Sequence, residues 1–554
     1  MKKSKTVTVI LVLILSTSMV FAGGGQQKST SQSSGSATPS SGGLPIVSKP
    51  ITLRALSADL GEITMSNKIK VIAELEKRTN IHLDIEVLPL QDTDDCVAKF
   101  HAIMASGDIP DLVDVQAVDD PTVINRYGMQ GLFLPLNDLI KQYAPNMIKV
   151  FDNPLEGEIL PYPINVWGDL TARDGNIYCL PFLGATNAIG PIWAIRTDWL
   201  KKLNLKVPET ADELYTVLKA FKEKDPNGNG RADEIPLGSA QGSKVNTILP
   251  LISMFDAHMD LYVDPVDKKI KYGPIEPAFR NGLAFLNKLY SEGLIESDYI
   301  TATRDQWFAR SGGNQIGMQF VWPASGLGAS NYELAKMNPS YRFEPMLPLK
   351  SPSGRQYKDT KTTGGVMQYR TSIGAKTKYK VEIMKYLDYL FSPEGQMLID
   401  WGIQGETYNM MNGKPVITDY ILKNPDGLDP ETASVQFGIR CDLLLPGLNR
   451  WEASFQALKD SAPDTIQAWK TYQQPGYVEA PMPILPLTEE ESSRVSAIIA
   501  DINTYKDPMV DKFIMGQESL LKFDEFTTNI RKAGLDELLK LMNSAYDIYK
   551  ANSR

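Results

Sequence analysis

Between Ile51 and Val115 the spacing of apolar residues changes period repeatedly, and few architectures accommodate that order. Apolar and polar residues alternate through Ile51, Leu53 and Ala55, helical spacing takes over at Ile69, Ile72 and Leu75, and alternation returns at Ile81, Leu83, Ile85 and Val87. Val97, Phe100, Ile103 and Met104 then share one helical face, and "SGDIPD" leads into "LVDV", a short buried strand. The order is βαβαβ. Right-handed crossovers lay such a chain out as a mostly parallel sheet with helices on its faces. With 554 residues, 43% of them hydrophobic, the chain is too long for one core, so an α/β protein of two lobes is expected.

Residues 1–22 read as a cleaved export signal. Lys2, Lys3 and Lys5 precede an apolar run from Val7 to Leu15, and "MVFA" places small or β-branched residues at Val20 and Ala22. Ser16, Thr17 and Ser18 interrupt the run before it reaches the roughly 20 apolar residues of a membrane span. Residues 23–48, rich in Gly, Ser and Gln, cannot bury enough apolar surface to offset chain entropy and are expected to form a disordered leader. Loss of the three signal lysines takes the net charge from −9 to −12 and leaves no basic run to track a phosphate backbone, which argues against nucleic acid as a partner. Cys96, Cys179 and Cys441 lie too far apart for a disulfide framework or a CxxC zinc site. At most one bridge is open to them.

Further along, "PETADEL" carries a capping box, Thr210 with Glu213, opening a helix striped by Leu214, Val217, Leu218 and Phe221. Helices are expected near 277–291 and 380–391, with Ser392 and Pro393 starting the next. A second capping box, Thr488 with Glu491, opens a nearly all-helical C-terminus that Gly534 divides. Directly after the helix at 210–221 stands "DPNGNGRADEIP". Asp225, Asn227 and Asn229 alternate as oxygen ligands, and Gly230 occupies the sixth place, where a calcium loop turns sharply. The twelfth place, which an EF-hand fills with a bidentate Glu, is Pro236. The loop is therefore not an EF-hand, and an Asn-Gly turn without metal stands beside the cation reading.

As a set, the export signal, the βαβ start, "AIMASGDIPDLVDV", "IYCLPF", "WAIRTDWLKKLNLKVPETADEL", "DPNGNGRADEIPL" and the ending "FIMGQESLLKFDEFTTNIRKAGLDELLKLMNSAYDIY" resemble the extracellular solute-binding proteins (family 1) of ABC importers. The resemblance covers residues 50–550 and is to the large oligosaccharide-binding subset that includes alginate-binding proteins. It implies the two-lobe periplasmic-binding-protein fold (type II), with residues 49–178 and 360–435 in the N-terminal lobe and 179–359 and 436–554 in the C-terminal lobe. It implies no enzyme but a monomeric carrier that closes on an oligosaccharide by hinge motion and delivers it to membrane permease subunits. It also implies a structural calcium held by Asp225, Asn227, Asn229, the backbone carbonyl of Arg231, Asp233 and Glu234, with Glu234 replacing the acid missing at the twelfth place.

A cleft for sugars needs aromatic rings for C–H faces and polar groups for hydroxyls. Trp193, Trp307, Trp322, Trp401, Tyr408 and Trp451 are the candidate rings, and Asp114, Arg196, Asp305 and Glu406 the candidate polar contacts. The rival reading is a secreted glycosidase or polysaccharide lyase, and a third is a sensory protein presenting its ligand to a receptor. No GxSxG or HExxH occurs, and His82, His101 and His258 are isolated. Many relatives carry a lipidated cysteine after the signal, whereas "VFAGGGQQ" has none, so a soluble protein in the periplasm or released outside the cell is expected. The negative field favours neutral oligosaccharides, which a local basic cluster would override.

Overall fold

The computed structural model describes residues 43–552 except 60–63, 65, 91–93, 119, 185–188, 239–247, 360–366, 429, 440–444, 451, 453–455 and 457–462. Ile51–Asp59 (β1) and Ile81–Leu90 (β2) pair in parallel from Ile51↔Ile81 onward, joined by the helix Lys70–Thr79, which buries Val71, Ile72 and Leu75 on the sheet. Asn80, in the left-handed region at φ 60°, ends that helix and turns the chain into β2. Leu112–Asp114 (β3) joins the other edge of β1, again in parallel, after the helix Asp94–Ser106. These elements follow from the apolar periods of the sequence.

The sheet is completed from distant chain. Cys179–Gly184 (β4), Met367–Ile373 (β11) and Gly447–Asn449 (β14) extend it to the order β14-β4-β11-β3-β1-β2. The second sheet has the order β10-β5-β9-β6, built from Ile192–Arg196 (β5), Ile235–Leu237 (β6), Ile316–Val321 (β9) and Phe343–Met346 (β10). Two hairpins lie outside these sheets: Leu261–Val263 (β7) with Ile270–Tyr272 (β8), and Tyr408–Met411 (β12) with Lys414–Ile417 (β13). Both sheets are mixed rather than mostly parallel. β11 runs antiparallel to β3 and β4 because it returns from the second lobe, and β5 is antiparallel to β9 and β10.

Three expected boundaries move. β4 belongs to the first sheet, so the first crossing follows Gly184 rather than residue 178. β14 pairs with β4, so the first lobe's returning stretch reaches Asn449 rather than 435. Ile46 and Val47 are 6% and 0% exposed, packed in the first core, so the leader ends before Ile46 rather than at 48.

The chain thus passes between the lobes between β4 and β5, between β10 and β11, and after β14, where the helix Pro463–Tyr472 packs on β10. The second core is closed by the C-terminal helices: the 27-residue helix Glu489–Met515 lies on Pro277–Ser291, where Asn287 Nδ2 donates to the Phe513 carbonyl at 3.0 Å. Gly534, at φ 108°, interrupts the helical run as expected. Of the two capping boxes, that of Thr488 is complete: its hydroxyl accepts from Glu491 N at 3.1 Å, and Glu491 accepts from Thr488 N at 2.8 Å. At Thr210 the hydroxyl accepts from Glu213 N at 3.3 Å, but the Glu213 carboxylate reaches back to Glu209 N instead. Replacing Thr488 with Ala should lower stability by about 1 kcal/mol, read as a shift of the urea midpoint.

Candidate functional site

The loop after the helix Ala211–Glu223 is organised around acids. The Asp225 carboxylate accepts from the backbone N–H groups of Gly228 (2.9 Å), Asn229 (3.1 Å) and Gly230 (3.1 Å). Asn227 Oδ1 accepts from Asn229 N and Asn229 Oδ1 from Arg231 N, while both side-chain amides donate to Asp233 at 2.9 Å. Gly228 and Gly230, at φ 75° and 73°, give the turn a backbone that a side chain would strain. Hydrogen bonds from Asn229 hold Asp233 below the usual carboxylate range. Glu234 behaves oppositely: burial, and then the charges of Asp225 and Asp233, push its carboxyl up, and among the described residues its Oε1 is buried without a hydrogen-bond partner.

An orphaned carboxylate oxygen beside two further acids fits the donor chemistry of a hard divalent cation, which prefers oxygen ligands and offsets their charge. In this arrangement amide hydrogen bonds engage Asp233, and among the described residues no three His, Cys, Asp or Glu side chains are gathered at metal-holding distances.

The candidate cleft residues separate sharply. Trp193, 2% exposed, faces the second core with its ring 4.7 Å from Phe320, because strand alternation turns Trp193 and Ile195 inward. Trp307 is fully buried on the helix Arg304–Gly312 and donates its indole N–H to Gln319 Oε1 at 2.8 Å. Arg196 is fully buried, braced by Asp198 at 2.6 and 2.8 Å and lying 4.8 Å from the Trp199 ring. These three are core residues in this arrangement. Trp401 and Tyr408 are buried together beneath the β12–β13 hairpin, rings 6.3 Å apart. Glu406 is exposed but paired with Lys70 at 2.6 Å, and Asp305 is exposed in the first turn of its helix. Asp114 closes β3 buried, accepting from Ser57 and from Gln116 N. Trp451 lies outside the described residues.

Trp322 differs. It follows β9 directly and keeps part of its surface open, at the sheet edge where Val321 pairs with Ile192, the first residue of β5 after the crossing. On the first sheet the matching edge is the carboxyl end of β1, β3 and β4, the side on which open α/β sheets bind ligands. Beneath it lies Arg370, fully buried on β11, which donates to Gln116 Oε1 and sits 5.4 Å from the Phe182 ring. A charge inside the strand pattern "MQYRTSI" was the available signal for Arg370.

The chain matches, over residues 61–397, the family described as bacterial extracellular solute-binding protein. It belongs to that family. Among curated relatives, a fructooligosaccharide ABC transporter substrate-binding protein, FusA of Streptococcus pneumoniae, is 26% identical over 498 residues, 88% of each chain. A polygalacturonan/rhamnogalacturonan-binding protein, YtcQ of Bacillus subtilis, is 26% identical over 349 residues, 62% of this chain and 64% of that one. Among solved structures, the alginate-binding protein AlgQ2 without calcium ion aligns with TM-score 0.72 and 29% identity over 90% of this chain and 99% of that one. FusA in complex with kestose aligns with TM-score 0.70 and 24% identity over 91% and 100%, a likeness of fold. As a solute-binding protein of two lobes, the chain depends on how those lobes are joined. Among its described residues, no helix is long and apolar enough to cross a membrane.

One polar contact joins them away from the strand ends. Asp169, on the first-lobe helix Val166–Leu170, accepts from Ile484 N at 3.4 Å and from the hydroxyl of Tyr549 on the C-terminal helix, while its own carbonyl accepts from Tyr369 at 3.0 Å. Burial pushes the Asp169 carboxyl from 3.8 up to about 6, against the hydrogen bonds from Tyr549 and Ile484. A raised carboxyl binds its proton more tightly in the native state, so the stability it contributes is present below pH 3.8 and is lost as pH climbs through about 6. Asp169→Asn, which keeps the shape and one acceptor oxygen but removes the charge, should therefore raise stability by about 1–2 kcal/mol at pH 7.5 and change it little at pH 4, measured as melting temperature at the two pH values.

Proposed function

We propose that this protein is the substrate-binding component of an ABC importer, capturing an oligosaccharide between its lobes and delivering it to membrane permease subunits. The observation that carries the reading is the part-open Trp322 ring at the end of β9, beside the crossings that join the two sheets. A flat indole there offers a face to the C–H surface of a sugar, and lobes joined by crossings close on what lies between them. FusA, YtcQ and AlgQ2, whose names specify fructooligosaccharide, polygalacturonan/rhamnogalacturonan and alginate, support the same solute class. Export through the signal at 1–22, a leader ending before Ile46 and action as a monomer outside the cytoplasmic membrane complete the reading.

The same reading assigns the loop a structural calcium, with Asp225, Asn227, Asn229, the Arg231 carbonyl, Asp233 and Glu234 as ligands. The orphaned Glu234 oxygen favours it over a metal-free turn. Calcium at about 1,000 times its Kd should stabilise the native state by about 4 kcal/mol, and the melting temperature should fall on chelation. Combining Asp225→Ala with Asp233→Ala should abolish that calcium dependence. A double variant that still responds to calcium as the wild type does would remove the assignment.

Trp322→Ala should weaken oligosaccharide binding by roughly 10-fold or more, the share of one aromatic platform, with little change in melting temperature because the ring is not a core member. Trp307→Ala should do the reverse and cost about 3–5 kcal/mol of stability. Calorimetric titration against a panel of neutral and acidic oligosaccharides separates the two. Full retention of affinity in Trp322→Ala would remove the proposed cleft.

A further inference from the structure

Lys358 lies on the crossing between β10 and β11 and is fully buried. Its backbone is fixed to the next pass of the chain: Lys358 N donates to the Tyr477 carbonyl and Glu479 N to the Lys358 carbonyl, both at 3.1 Å. Among the described residues the ammonium end has no hydrogen-bond partner, and the Phe320 ring centroid is 5.9 Å away. The charge of neighbouring Asp359 favours the ammonium form without outweighing burial, and the nearby carboxylates also serve other groups. Asp359 accepts from Met259 N at 3.0 Å, and Glu479 lies 3.1 Å from Arg355 and 2.9 Å from His258. Tyr357, the other neighbour, and Tyr477, across the bridge, bring no charge of opposite sign.

We propose that Lys358 reads the solute, its amine supplying the countercharge to a carboxylate of an acidic oligosaccharide held at the edge of the second sheet. The inference rests on the importer reading and names the solute class. Location supports it: Phe320 is the second-to-last residue of β9, and Trp322 stands two residues further on at the same edge. Chemistry supports it as well. A buried amine without a partner costs stability that a methionine of similar volume would not, so a purely structural role gives no reason for lysine here. A carboxylate both offsets the desolvation and uses the three donors that the described residues leave idle. Burial pushes the amine down to about 7, so an arriving carboxylate draws a proton onto it. The chain's net negative field does not oppose this, since it is screened over about 8–10 Å in physiological salt while the amine acts at contact. The amine is covered in the present arrangement, so solute reaches it with lobe movement.

The test is calorimetric titration of the calcium-loaded mature protein with trigalacturonate and with the neutral trisaccharide kestose, at pH 7.5 in two buffers of different ionisation enthalpy. Wild type should bind trigalacturonate with net proton uptake. Lys358→Met should lose about 30-fold or more of that affinity together with the proton uptake, keep its kestose affinity within about threefold, and melt no lower than wild type. Lys358→Gln, which retains a donor but no charge, serves if the methionine variant does not fold and should show the same losses. Unchanged trigalacturonate affinity in a folded variant would overturn the inference. A wild type that binds kestose alone would overturn it and leave the importer reading standing, and one that binds no oligosaccharide would overturn both.

Discussion

The short backbone bridge between Lys358 and residues 477–479 is the constraint on which the two-lobe arrangement depends. It couples the crossing that leaves β10 to the pass that follows Pro463–Tyr472, so two segments far apart in the chain move together. Side chains then tie this pair to the second lobe. His258 stacks on Tyr262 at 3.5 Å and lies 2.9 Å from Glu479, Arg355 contacts Glu479 at 3.1 Å and covers the Tyr357 ring at 4.0 Å, and Asp359 holds Met259 N. Partly buried charges joined in this way resist separation, because breaking any pair leaves its partner desolvated.

Beside an apolar core that runs on from the first sheet to Ile192, Val321 and Phe343 of the second, polar contacts cross from the first lobe. Asp169 with Ile484 and Tyr549 is one, and Gln130 with Glu489, at the start of the long C-terminal helix, is another. Both are short-range contacts that tolerate rotation better than interdigitated core does. A solute held between the lobes biases such a rotation only by the affinity difference it has for the two states. That requirement gives meaning to polar groups kept near the strand ends at a cost in stability, Arg370 under the first sheet and Lys358 under the second.

Legibility in the sequence followed physical range. The βαβαβ start, the helix break at Gly534 and the Thr488 box rest on neighbours within a few residues, and local period or cap chemistry reveals them. Strand direction beyond β3 was not legible, because β11 and β14 reach the first sheet from about 180 and 260 residues beyond β4 and no local pattern records which way they run. The aromatic candidates failed for a related reason. Trp193 and Trp322 both sit near the ends of β5 and β9, but only the pairing of those strands decides that one faces a core and the other an edge. Arg196 looks like a surface charge until Asp198, two residues on, is seen to fold back beneath it.

The cation loop and the solute edge lie at opposite ends of one sheet. β6 runs parallel to β9 with Ile235 opposite Ile316, so the loop that delivers β6 sits beside the beginning of β9, while Trp322 and the neighbourhood of Lys358 lie beyond its end. Six strand residues at about 3.3 Å each separate them by roughly 20 Å. At that distance, across more than two Debye lengths of screening at the surface, a bound cation neither contacts nor polarises a solute. The loop's other contacts, Lys202 to the carbonyls of Asp225 and Pro226 and Gln315 to Asp233, all stay within the second lobe. A cation there would fix how the helix Ala211–Glu223 enters edge strand β6, and its effect on solute affinity would run through the stability of that lobe alone.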